Sequence, residues 1–99
     1  MELPIRITKY LGDDPQPGIC ECAFVDADNR THVIVDKVLI FVNRLLSEQD
    51  SYPIAASIPC QVLDAWTDAT GKELARIKVE WVESTEGVSE FVVLKKQLL

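Results

Sequence analysis

The sequence predicts an all-β fold, a small antiparallel barrel or sandwich of six to seven strands. Three observations predict it. Short runs rich in Val, Ile and aromatic residues recur between clusters of turn-forming residues. Several runs alternate apolar with polar, as in Leu3, Ile5 and Ile7 against Pro4, Arg6 and Thr8. And a turn-like stretch, Ala23-Phe24-Val25-Asp26-Ala27-Asp28-Asn29-Arg30-Thr31, returns 42 positions later as Ala65-Trp66-Thr67-Asp68-Ala69-Thr70-Gly71-Lys72-Glu73.

Residues 3–11 read as a first strand, with Pro4 near its start, where a missing amide is tolerated. Two Gly, two Pro and two Asp in residues 12–18 make a loop. Ile19–Asp26 and Arg30–Asp36 read as the second and third strands, joined by the first copy of the repeat. Asp26 suits the first turn position, where its carboxylate accepts nearby backbone N–H groups. Asn29 falls where a three-residue hairpin loop needs a left-handed residue. Gly71 fills the same slot in the second copy, with no steric cost. A type I turn followed by a bulge then sets both registers. Phe24 opposes His32 and Cys22 opposes Ile34; Trp66 opposes Leu74 and Asp64 opposes Arg76. Each turn closes with an acid facing a base, Asp26 with Arg30 and Asp68 with Lys72.

Val38–Val42 is β-branched and aromatic and reads as a buried strand, followed by a helical turn or two over 43–50. The alternative is a single helix over 37–49, because short apolar runs do not separate the two by period. Ile58–Thr67 and Lys72–Val82 form a long second hairpin. Leu63, Ala65, Ala75, Ile77, Val79 and Trp81 are its core face; Asp64, Arg76, Lys78 and Glu80 are its solvent face. Val88–Leu94 is the last strand, with Phe91 and Val93 on one face, and Gln97-Leu98-Leu99 frays or docks. The spacing suits the small barrels of the SH3, OB or elongation-factor type, a likeness of fold only.

The chain has 99 residues, 47% hydrophobic and 26% charged. These are ordinary globular values and fit a single domain, residues 1–99. Area scaling buries about two-thirds of the unfolded surface at this size, enough for a core without staples. The net charge of −6 disfavours nucleic acid, whose phosphates need Lys and Arg, and leaves proteins as the expected partners. Three cysteines cannot all pair within one chain, which points to reduced thiols and a cytoplasmic location. Met1–Ile5 lacks the basic and apolar regions of a secretion signal. The most apolar window, Val33–Val42, is broken by Asp36-Lys37 and too short to span a bilayer, so no membrane is expected.

Several constellations bear on chemistry. Cys20, Cys22, Cys60 and His32 are of the right types for zinc. The single residue between Cys20 and Cys22, inside a strand, instead marks small buried apolar side chains. Asp26-Ala27-Asp28-Asn29 resembles the start of a calcium loop, but the sixth position lacks Gly and the twelfth is Lys37. A hairpin turn accounts for the same residues. The four glycines have no phosphate-cradling spacing. No metal or cofactor is therefore expected.

His32 is the only histidine, the one side chain whose ordinary pKa lies near neutrality. Cys20, Cys22 or Ser84 as nucleophile, with Asp36 as orienter, would complete a catalytic set, but no nucleophile signature is present. A cross-strand pair with Phe24 is the simpler role. Phe24 and Trp66, in equivalent slots, either form an exposed patch with His32 and Leu74, rimmed by Asp64, Arg76 and Lys78, or close the ends of the core; the core reading is simpler.

The resulting expectation is a non-enzymatic cytosolic protein-interaction or regulatory module acting through a barrel face or sheet edge. Its binding candidates are Phe24, His32, Trp66, Leu74 and Arg76, with a protein partner or a second copy as ligand. The alternative is a small enzyme or ligand-binding domain using His32 with Cys22 or Asp36. A third reading, oligonucleotide binding, rests on Lys72, Arg76 and Lys78 beside exposed aromatics.

Overall fold

A computed structural model describes all 99 residues, Met1–Leu99. Six strands form one antiparallel sheet: β1 (Glu2–Gly12), β2 (Ile19–Val25), β3 (Thr31–Lys37), β4 (Ile54–Thr67), β5 (Glu73–Val79) and β6 (Glu90–Leu94). The spatial order is β3-β2-β1-β4-β5-β6. The sheet curls into a half-barrel, as expected from the strand spacing. Its ends approach where Ala27 N–H donates to the Val92 carbonyl at 2.9 Å and Thr85 N–H to that of Val33 at 2.8 Å.

Alternation places the core. Leu3, Ile5 and Ile7 of β1 are buried with Cys20, Cys22 and Phe24 of β2 and Ile77 and Val79 of β5. Pro4 sits on the side of β1 that faces β2, at the point where the β1–β2 pairing has ended. There the Gln97 amide donates to the Val25 carbonyl at 2.8 Å. The tail docks: Glu2 and Leu99 exchange both backbone hydrogen bonds, at 3.3 and 3.0 Å.

β4 is the long strand, and it changes partner midway. Glu2–Ile7 pairs with Ile54–Pro59, and β5 pairs only from Cys60 onward. Beyond Pro59, β4 therefore has β5 on one side and no strand on the other; this half of β4, with β5 backed by β6 along Leu74–Lys78, forms an arm, and every residue from Gln61 to Thr67 is exposed. The molecule measures 46 × 23 × 22 Å with a radius of gyration of 14.1 Å, against about 12.6 Å for a compact chain of this length.

Three expectations are corrected. Val38–Val42 is not a strand: Val38–Phe41 forms one helical turn, α1, and Val42 is already extended. Val38 and Phe41 are buried while Leu39 is 51% exposed, which is the period of a helix and not of a strand. Residues 43–50 form turns rather than a helix, held by Asp50, whose carboxylate accepts the Ser47 amide at 2.8 Å and meets Arg44 at 3.3 Å. A helix over 37–49 is likewise absent.

The second hairpin's core face is also shorter than its pattern. Ala75, Ile77 and Val79 are buried, but Leu63, Ala65 and Trp81 are exposed. A register shift between Val62 and Asp64 turns Leu63 out of the alternation. Ala65 lies outside the core, which in that row stops at its partner Ala75. Trp81 follows the end of β5 with φ at +71°. The last strand begins at Glu90 rather than Val88. No helix is long and apolar enough to cross a membrane.

Candidate functional site

Both copies of the repeat form the expected hairpin turns. Asp26 Oδ1 accepts the amides of Asp28 and Arg30 at 2.8 and 3.0 Å. Asp68 Oδ1 accepts those of Thr70 and Lys72 at 2.9 and 3.0 Å, and the Thr70 hydroxyl at 2.7 Å. Asn29 and Gly71 carry the left-handed conformation, at φ of 62° and 87°. All four cross-strand pairs are in the expected register.

The five candidate binding residues nevertheless divide into two groups. Phe24 and His32 turn inward against Phe91. The Phe24 and Phe91 rings meet edge to face at 5.0 Å, and His32 lies 4.7 Å from Phe91 and 5.3 Å from Phe24. Phe24 is 4% exposed. The free oxygen of Asp26 meets His32 Nε2 at 2.7 Å. Burial opposes the ionisation of Asp26, but the bonds from His32 and the two turn amides outweigh it and hold the carboxyl below its usual range. The first turn is thus locked to the core.

Trp66, Leu74 and Arg76 share the other side of the sheet. Trp66 pairs with Leu74 and Leu74 with Leu94, so one apolar row crosses three strands on the outer face of the arm. Trp66 is 39% exposed. The next row is Asp64, Arg76 and Val92. Arg76 is tied across the face to Glu90 at 2.9 Å. The patch reading therefore holds for Trp66 and Leu74, and the core reading for Phe24.

The other candidate chemistries are not assembled. Cys20 and Cys22 lie with their sulfurs 3.8 Å apart in the core, and the hydrogen bond between them, with burial, holds the Cys22 thiol up. All three cysteines are free and buried. No three His, Cys, Asp or Glu side chains are grouped so as to hold a metal ion. His32 is hydrogen-bonded to Asp26, not to Cys22 or Asp36. Asp36 instead accepts the Lys37 amide at 2.8 Å. The Asp26 oxygens that a calcium loop would aim at a cation are taken by the turn and His32.

The sequence reading missed Trp81, which it placed in the core. Trp81 is 73% exposed and left-handed, a conformation rare for a bulky side chain. It borders two hollows. One, of about 630 Å³, lies beside the β3 edge and includes Asp36, Lys78 and Glu83. The other, of about 660 Å³, lies between α1 and the first half of β4. The signal was faint: Trp81 continues the apolar alternation of β5, and only the Glu83-Ser84-Thr85-Glu86-Gly87 turn just after it hints that the strand stops early. No family model, no curated protein and no solved structure matches this chain.

Proposed function

We propose that the protein is a non-enzymatic interaction module whose working surface is the outer face of the β4–β5 arm. The observation that carries this reading is the Trp66–Leu74–Leu94 row, an apolar stripe on a projecting hairpin rimmed by Asp64, Arg76 and Lys78. An apolar centre with a charged rim is the anatomy of a protein–protein contact, and the Trp at the free end of the row is the residue type that most often dominates such contacts. The arm's free edge is less suited to pairing, because the Asp64 carboxylate accepts the outward Ala65 amide at 2.9 Å. The contact is therefore a face, made by a second copy or by another protein. Three free thiols support a reducing compartment such as the cytoplasm.

Sedimentation equilibrium of the purified chain, with affinity capture from native lysate, tests the reading. The expected result is self-association or a stoichiometric partner that is lost in Trp66→Glu and kept in Glu21→Gln, on the opposite half of the sheet. A strictly monomeric chain with no stoichiometric partner would count against it. So would saturable binding of single-stranded DNA at low salt that Trp66→Glu abolishes.

A further inference from the structure

Setting aside the last residues of β1 and the outer edge of β6, where Ala27 meets Val92 and Gln97 meets Leu94, three stretches of strand have an unpaired outer edge. Hydrogen-bonding direction alternates along a strand, so the pairing registers tell which backbone groups face outward. On β3 these belong to Val33, Val35 and Lys37; the Asp36 side chain covers the Lys37 amide, and the Val33 carbonyl is taken by Thr85. On the arm, Asp64 covers the Ala65 amide. Each of these edges has one amide covered by an aspartate. The third stretch lies in the first half of β4. Cys60 donates to Met1, so Ile54, Ala56 and Ile58 face β1, and Ala55 and Ser57 face away. No hydrogen bond reaches the outward N–H or C=O of either residue.

That uncovered edge faces the hollow under α1. Leu39, Ile40 and Val42 supply its far wall, and Trp81 closes one end. The gap exists because β5 leaves β4 at Pro59, where the Glu80 amide donates to the Pro59 carbonyl at 3.1 Å. The chain then turns through the left-handed Trp81 and buries Val82. A left-handed conformation costs a non-glycine residue free energy, and a strained, exposed aromatic is an outlier of the kind found at binding sites.

Charge selects the occupant. Glu2, Asp36 and Glu83 line the two hollows beside Trp81, Glu80 adjoins it, and none of these carboxylates is ion-paired. Of the bases there, Arg44 is already met by Asp50, which leaves Lys78 alone. An exposed aromatic ring between two hollows lined by unpaired carboxylates favours a cation. We propose that this groove takes an extended peptide bearing a lysine or arginine, added as a strand to the Ala55–Ser57 edge with its cation over the Trp81 ring. Strand addition would supply backbone hydrogen bonds, and the apolar wall would seat alternate side chains. The site is separate from the arm and does not depend on the arm's function.

Panning a random linear peptide library on the full chain tests it. Enriched peptides are expected to alternate apolar residues around a Lys or Arg. Exchanging that residue for Glu should weaken binding at least about threefold, and N-methylation of the peptide backbone should abolish it. In amide NMR spectra the largest shifts should fall on Ala55, Ser57 and the Trp81 indole. Trp81→Gly relieves the strained conformation, so it should melt no lower than the wild type while weakening binding at least about tenfold. Trp66→Glu should bind as the wild type does. The proposal is overturned if nothing enriches, if acidic peptides enrich, or if Trp81→Gly binds undiminished. Shifts confined to the arm, or a second copy occupying the groove in sedimentation, would overturn it equally.

Discussion

The two hairpins are built from the same local grammar and reach opposite ends. In each, an aspartate gathers the amides of a tight turn and a left-handed residue completes the bulge. The first turn is then fastened from outside: Ala27 bonds to β6, Gln97 bonds to Val25, and His32 takes the spare oxygen of Asp26. The second receives no such contacts. Its Asp68 carboxylate, held below the usual range first by the Thr70 hydroxyl and then by turn amides, serves the turn alone. Local sequence therefore decides the turn, and tertiary contact decides whether its tip is fastened: β5 is backed by β6 and joins the core, while β4 beyond Pro59 and the second turn are left free. Phe24 and Trp66 occupy the same slot, and only Phe24 has Phe91 to meet.

Truncating the two aromatics should separate the hairpins most. Phe24→Ala should cost about 3–5 kcal/mol in urea unfolding, the range for a buried Phe. Trp66→Ala loses chiefly its cross-strand contact with Leu74 and should cost no more than about 1 kcal/mol. Equal losses would mean that the arm is part of the core.

A smaller effect separates the two aspartates. Asp26→Asn weakens bonds to two amides and His32 in a side chain only 12% exposed, and should cost about 1–3 kcal/mol; Asp68→Asn should cost less. The sign with pH follows from the folded Asp26 carboxyl lying below its unfolded value. Its contribution is complete above the unfolded pKa of about 3.9 and is lost as pH falls through the lower folded value. The urea midpoint of the wild type should therefore drop between about pH 5 and pH 2 by more than that of Asp26→Asn. Parallel curves would remove the Asp26–His32 lock from the account.

The smallest effects concern the left-handed slots. Gly71→Ala should destabilise by about 1 kcal/mol, the cost of that conformation to a residue with a Cβ. Asn29→Gly should change stability by less than about 0.5 kcal/mol in either direction, since strain relieved in the fold offsets freedom gained in the unfolded chain. Thermal melts of both variants would check the pair.

What the residues disclosed in advance divides along the same line. Turn type, registers and the alternation of β1, β2 and β6 were legible, because they depend on neighbours in sequence. The helical turn at Val38–Phe41 was not, since its apolar run suits either period until the crossing from β3 to β4 is known. The exposure of Leu63 and Ala65 depends on a bulge and on where the core ends, neither of which alternation reports. Of the candidate site, the Trp66–Leu74–Arg76 face was legible from register alone. Its separation from Phe24 and His32 was not, because it depends on strand order: β2 and β4 run parallel, but β3 and β5 lie on opposite sides of them, so equivalent slots fall on opposite faces of the sheet. Trp81 was missed because a strand pattern ran straight through the residue at which the chain turns.

Native-state hydrogen exchange tests most directly whether one hairpin is spent on the fold and the other left free. The paired amides of Cys22, Phe24, His32 and Ile34 should exchange only through global unfolding, with protection tracking the total stability in urea. Those of Trp66 and Leu74 should exchange through local opening, at lower protection and with little urea dependence. Equal protection and equal urea dependence in the two hairpins would contradict the account.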